Sequence, residues 1–344
     1  MRKHIVLLSS IAFLASCGDN QEVSKVKEEI KTTVKEYKFT ELDAQARDLF
    51  GALPAVEGSV NDPIAKLGKS LYFDKRLSKD NKQSCNTCHN LNTFGVDNNS
   101  FSEGNDGGLG GRNSPTTLNA FLHFSQFWDG REPDVEAQAG GPIVNPVEMA
   151  MPSEKFVIDR LSSIEEYKTM FREAFPKTNS PITYNNLKSA IGAFERLLIT
   201  PTKFDKYMAG ENEALTSKEK RGMKLFIDAG CITCHAGPLL GGDLYQRFGL
   251  STNYWDYTKS KNIDKGRFDV TGKESDMYVF KVPSLRNITK TGPYFHDGSV
   301  ESLRRAVTIM GKTQLNRDLS AKEIAGILFF LETLTGEVGE ELKE

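Results

Sequence analysis

The sequence is short of the residues that usually carry chemistry. Only five cysteines, five histidines and two tryptophans stand among 344 residues. Charge of either sign is not in excess: 44 basic residues against 46 acidic ones leave a net charge of −2, and no basic footprint points to nucleic acid. Apolar runs long enough to span a membrane are missing, and no histidine occurs between His89 and His123. With so few candidates, the positions of those that exist are informative.

The start of the chain is an address. Arg2 and Lys3 precede an apolar stretch over residues 5–14 that ends in Leu14-Ala15-Ser16-Cys17. A basic start, a short apolar core and small residues at a cleavage point make an export signal over residues 1–17, too short for a spanning helix. The last four residues also resemble a bacterial lipobox, in which Cys17 would carry a lipid anchor; ordinary cleavage with Cys17 incidental is the alternative. Gly18 rather than Asp after that cysteine favours an outer-membrane destination, so the expected location is periplasmic and lipid-anchored. Residues 18–46 are polar and charged and form a tether, partly helical at most.

The other four cysteines sit in two matching runs, Cys85-Asn86-Thr87-Cys88-His89 and Cys231-Ile232-Thr233-Cys234-His235. Cys-x-x-Cys-His is the attachment signature of c-type haem, with two thiols for the vinyl groups and an adjacent histidine for the iron. A four-cysteine zinc site would leave both histidines without a reason, and a thioredoxin-like dithiol would not call for them either. Two covalently bound haem c groups follow, held by Cys85, Cys88, His89, Cys231, Cys234 and His235. Such attachment occurs outside the cytoplasmic membrane in bacteria, in agreement with export.

The runs belong to a larger repeat. Gly68, Leu71, Tyr72, Phe73 and Asp74 precede the first with the same internal spacing as Gly222, Leu225, Phe226, Ile227 and Asp228 before the second. Trailing helices carry Leu187, Ile191, Phe194, Leu197 and Leu198 in one copy, and Ile324, Ile327, Leu328, Leu331 and Leu334 in the other. Thr216 with Glu219 and Ser320 with Glu323 form capping boxes that mark two helix starts. The expected fold is mainly α, with two cytochrome c-like domains over residues 47–205 and 206–338, joined near the polar stretch 209–213, and a tail over 339–344. A loop rich in Gly, Asn and Asp over residues 98–113 should be mobile.

Further motifs lie around the runs: Arg112-Asn113-Ser114-Pro115-Thr116, Gln126-Phe127-Trp128-Asp129-Gly130-Arg131, and Gly141 through Met149 as GPIVNPVEM. Later come Val282-Pro283-Ser284-Leu285-Arg286-Asn287, Pro293-Tyr294-Phe295-His296-Asp297-Gly298, and Met310 with Gln314-Leu315. Together they resemble the bacterial di-haem cytochrome c peroxidases, a family that also contains the methylamine-utilisation maturase. The resemblance implies reduction of hydrogen peroxide to water with electrons from a small soluble cytochrome c or cupredoxin.

Residue by residue, the same resemblance makes His89 the proximal ligand of a peroxide-binding haem, and His235 and Met310 the ligands of a second, higher-potential haem. It places Trp128 between the haems as an electron relay, Glu148 as the acid/base of the peroxide pocket, and Gln138 as its hydrogen-bonding neighbour. It also assigns Asn113, Thr291 and Pro293 to one calcium ion, and it suggests a homodimer. Bland alternatives exist for several: Met310 and Trp128 as core residues, Glu148 as a surface carboxylate.

One departure from the family matters. Its glycine-rich loop usually carries a histidine that caps the peroxide-binding iron at rest, and the matching position here is Asn105. A carboxamide is a poor iron ligand, so the first haem should be open at rest and should react without prior reduction. His123 is the one substitute within reach, although a histidine in an apolar stretch is more often simply packed; His296 is expected to be structural or to face a propionate. A maturase and a pure electron carrier are the rival functions, disfavoured respectively by Met310 and by the pair Glu148 and Gln138.

Overall fold

The computed structural model describes residues 39–344. The export signal, Cys17 and most of the tether lie outside the described residues; residues 39–49 are helical.

Two helix pairs organise residues 45–344. In the first, α1 (Pro63–Phe73) packs against α5 (Tyr184–Glu195), with α2 (Val135–Val144), α3 (Glu154–Ser162) and α4 (Glu165–Ala174) between them in the chain. After α6 (Lys203–Met208), the second pairs α7 (Ser217–Ala229) with α9 (Ala321–Glu332), preceded by α8 (Leu303–Leu315). Both capping boxes form as the sequence predicts, Thr216 with Glu219 and Ser320 with Glu323. Pro63 opens α1 where its missing N–H costs nothing.

Glycine sets the distance within each pair. A Cβ on Gly68 would lie 1.8 Å from the Ala190 carbonyl oxygen, and one on Gly222 would lie 2.1 Å from that of Gly326. Only a bare backbone allows helices to cross so closely. The repeated glycines of the sequence are therefore the repeated crossing points of the fold. Leu187, Ile191 and Phe194 on α5, and Ile324, Ile327 and Leu331 on α9, are buried as their spacing requires.

Among the described residues, sheet is confined to an antiparallel pair, β1 (Tyr245–Arg247) and β2 (Val279–Lys281), with Tyr245 opposite Lys281. The expected domain boundary at 205/206 falls inside α6, where Arg286 donates to both carboxylate oxygens of Asp205 at 2.7 and 2.9 Å. The tail expected over 339–344 differs in the structure. Val338 and Leu342 are buried in the first half's core with Ala65, Tyr72 and Phe194, since apolar side chains gain by leaving water even on a short polar segment.

Candidate functional site

Each Cys-x-x-Cys-His run closes into a single turn. The His89 amide donates to the Cys85 carbonyl at 2.9 Å, and the His235 amide donates to that of Cys231 at 3.0 Å. Ser84 and Thr87 cap the first turn reciprocally. The same bond in both runs presents two thiols and an imidazole together, which is what haem attachment requires. The four thiols are free, and burial pushes Cys88 and Cys231 each up to about 11. Neutral, half-buried thiols with raised pKa values are the opposite of a reactive dithiol. Among the described residues the cysteines do not gather with other donors into a metal cluster of zinc type.

The second turn opens on an apolar cavity. Cys231, Cys234, His235 and Met310 all border it, with Phe226 and Leu331 among its walls. His235 Nδ1 lies 2.8 Å from the Leu240 carbonyl, which fixes Nδ1 as the donor and leaves Nε2 as the basic nitrogen. Met310 lies on α8 and packs beside the cluster of Phe248, Tyr254 and Phe280. Thiols, imidazole and thioether from distant parts of the chain thus meet around one hole, and this donor set fits a haem with His/Met ligation.

Trp128 borders the same cavity, and its indole N–H donates to the Asn113 carbonyl at 2.8 Å. Asn113 and Pro115 belong to a segment that also reaches the first turn: the Pro115 and Gly95 carbonyls offset in part the burial that lowers the His89 pKa, although His89 Nδ1 has no well-formed hydrogen bond. Arg112 clamps this segment through Asp264 (2.6 and 2.9 Å) and Asp129 (2.6 Å). Asn113, Thr291 and Pro293 all border the cavity, and Asn113 Nδ2 donates to the Asn99 carbonyl at 2.9 Å.

The first turn faces a polar pocket of different character, bordered by Cys88, Asp97, Gly104 and Asn105. Asn105 is 3 % exposed, and its Nδ2 donates to Asp80 at 3.0 Å and to Asp106 at 2.8 Å, while its Oδ1 accepts from the Asp80 amide at 3.2 Å. The glycine-rich loop, expected to be mobile, is pinned by such bonds: the Asn105 amide donates to the Glu148 carbonyl at 2.7 Å, and a Cβ on Gly104 would lie 1.8 Å from the Val147 oxygen.

Glu148 follows α2 through the turn at Asn145, whose Nδ2 donates to its carboxylate at 2.8 Å. Burial raises its pKa, opposed by Arg131 and by Asn145, and its charge is felt at the Cys88 thiol. Gln138 is half-buried on α2. His123 is not near this pocket. It borders the second cavity, where Lys281 Nζ lies 3.0 Å from its Nδ1, so the substitute-ligand role does not hold. His296 is buried and stacks on Phe280 at 4.3 Å between ring centroids.

Three features carried no assigned role in the sequence: the buried ion pair Asp205–Arg286, the buried Glu195 on α5, and Lys281. Arg286 stands in the quoted motif Val282 to Asn287, so that signal was visible without its meaning. Glu195 and Lys281 gave none, since nothing local distinguishes a buried acid or lysine from an exposed one.

Helix pairs crossing at glycine, each followed by a thiol–thiol–imidazole turn, define a helical c-type cytochrome with two unlike sites. The comparisons narrow the class. The family model for di-haem cytochrome c peroxidase matches residues 62–213. The chain is 45 % identical to cytochrome c551 peroxidase of Pseudomonas aeruginosa, over 86 % of this chain and 87 % of that one, and 45 % identical to that of Nitrosomonas europaea, over 80 % and 81 %. A solved MauG-like protein associated with microbial copper homeostasis superposes with a TM-score of 0.74 at 28 % identity, covering 86 % of this chain and 98 % of that one. The chain belongs to the di-haem cytochrome c peroxidase family, and its enzymatic class is cytochrome-c peroxidase.

Proposed function

We propose that this enzyme reduces hydrogen peroxide at a first haem that is open at rest, without reductive activation. The observation that carries the proposal is Asn105. Both of its amide hydrogens are taken by Asp80 and Asp106, and its carbonyl accepts from a backbone amide, so both polar atoms of the side chain are already engaged by the protein. The bound haem supplies the iron that takes up peroxide and the electrons that break its O–O bond.

The chain's own residues do the rest. Cys85, Cys88 and His89 hold the first haem; Cys231, Cys234, His235 and Met310 hold the second. Glu148 removes the proton from one peroxide oxygen and returns it to the departing one, with Gln138 orienting the substrate. Its raised pKa brings it closer to neutrality than an ordinary carboxylate, which suits both halves of that transfer. Trp128 bridges the second cavity and the Asn113 segment, a position suited to an electron relay. Asn113, with the Thr291 and Pro293 carbonyls, supplies oxygen ligands of the hard type that calcium prefers. A small soluble cytochrome c or cupredoxin delivers electrons to the second haem. Export and a lipid anchor at Cys17 would place the enzyme in the periplasm, and the domain limits 47–205 and 206–338 stand as a proposal.

Rapid mixing of the fully oxidised protein with peroxide and a reduced donor tests it. Prompt turnover is expected; a lag removed only by pre-reduction would refute the open resting site. A Glu148→Gln variant in the same assay separates a peroxidase from an electron carrier, which would be indifferent to the change.

A further inference from the structure

The second cavity holds a charge that its own residues do not balance. Lys281, on β2, is only 6 % exposed. The one hydrogen-bond partner of its ammonium among the described residues is His123 Nδ1, 3.0 Å from Nζ, and no carboxylate pairs with it there. Arg286 is buried as deeply, yet it has both oxygens of Asp205 and the Pro238 carbonyl. An unpaired ammonium in such surroundings costs several kcal/mol, and buried charges are ordinarily matched by an anion.

The histidine side is also incomplete. An ammonium donates, so His123 Nδ1 must accept and the ring proton must sit on Nε2. That nitrogen is buried and has no partner. Lys281 and His123 therefore bring two kinds of donor and no acceptor to one wall, and both border the cavity that also contains Cys231, Cys234 and His235. The wall is rigid: the Lys281 amide donates to the Trp128 carbonyl at 2.8 Å, and the Phe124 amide to that of Gly242 at 3.0 Å.

We infer that Lys281, steadied by His123, is the counter-charge for a propionate carboxylate of the second haem. Haem c brings two carboxylates into an otherwise apolar hole, and one of them completes this pair. Lys281 is thus a positioning residue that anchors the edge of the haem opposite its thioether links and raises its potential, since a fixed positive charge favours the reduced iron. His123 keeps the ammonium in place. The inference rests on the reading that a second haem occupies this cavity.

The test uses the full-length holoprotein, with haem content counted first and the second haem then titrated spectroelectrochemically. Lys281→Met is expected to weaken reduction of the second haem about tenfold, 59 mV for a one-electron couple, while leaving the first haem unchanged. Lys281→Arg, which keeps the charge in a bulkier side chain, should restore the potential, whereas a purely steric role would make it worse. The propionate bending mode in resonance Raman spectra should shift in Lys281→Met. Should that variant not fold, His123→Phe supplies a smaller shift in the same direction. Two haems with an unchanged potential and bending mode in these variants overturn the propionate role alone; a wild-type protein with one haem overturns the di-haem reading as well.

Discussion

The two haem-attachment turns are built alike and surrounded differently. Each follows a helix that crosses its partner at a glycine, and each is closed by the same histidine-to-cysteine backbone bond. Around His235 the walls are apolar and include a thioether; beside the first turn, at Cys88, lie Asp97, the bonded Asn105 and the half-buried Glu148. On the proposed assignment one scaffold carries two chemistries, because attachment would depend on local sequence and reactivity on what the rest of the chain brings to each site. A saturated, apolar site suits electron transfer, and an open one with a proton carrier suits peroxide.

Several changes would sharpen or break that contrast. Removing the proton carrier should have the largest effect: Glu148→Gln is expected to lower kcat/KM for peroxide by roughly 10²–10⁴ with both haems still attached. In the wild type the acid limb of the pH–rate profile should fall at a pKa above the ordinary 4.5, because the active form is the carboxylate and burial raises its pKa. A limb at or below that value would remove Glu148 as the base. On the other side, Met310→His should lower the second haem's potential by tenths of a volt, a part of the roughly 0.8 V that axial ligands span, and leave the first haem as it was. Equal shifts at both haems, measured by redox titration, would contradict the division of roles.

The scaffold itself can be probed symmetrically. Gly68→Ala and Gly222→Ala each force a methyl onto a backbone oxygen. Overpacking of about 1–3 kcal/mol outweighs the gain of about 1 kcal/mol in helix propensity, and Gly68, with the closer approach, should cost more in denaturant titrations. The smallest effect concerns a group found only in the first half. Burial, then repulsion from Glu136, pushes Glu195 up to about 8 from 4.5. Its folded pKa is raised, so its contribution to stability is fully present below about 4.5 and is lost as pH rises through about 8. Glu195→Gln should remove that decline, visible as a widening difference in urea midpoint between variant and wild type over this range.

Much of this was legible in the chain. Cys-x-x-Cys-His needs only five adjacent residues, the capping boxes four, and Gly68 and Gly222 each open the same short pattern that ends in Asp74 and Asp228, so each survives being read in one dimension. The meaning of Asn105 was half visible: the missing histidine shows in the sequence, but the bonds that occupy the carboxamide do not. His123 is packed and hydrogen-bonded, as a histidine in an apolar stretch usually is, but its proximity to Trp128 in sequence said nothing about which cavity it borders. The burial of Leu342 against α1 was likewise invisible, since a short polar segment with two apolar residues does not reveal what it covers.

The sequence by itself determined where the two Cys-x-x-Cys-His turns stand, which helices lead and follow each of them, and that no histidine lies between His89 and His123. Those are matters of covalent chemistry and local periodicity. Only the tertiary structure decided that Met310 and Lys281 join His235 around one cavity, that Asp205 balances Arg286, and that a half-buried Glu148 acts on the Cys88 thiol of the first turn. Burial and electrostatics are sums over neighbours far apart in the chain, and the chain has to fold before those neighbours exist.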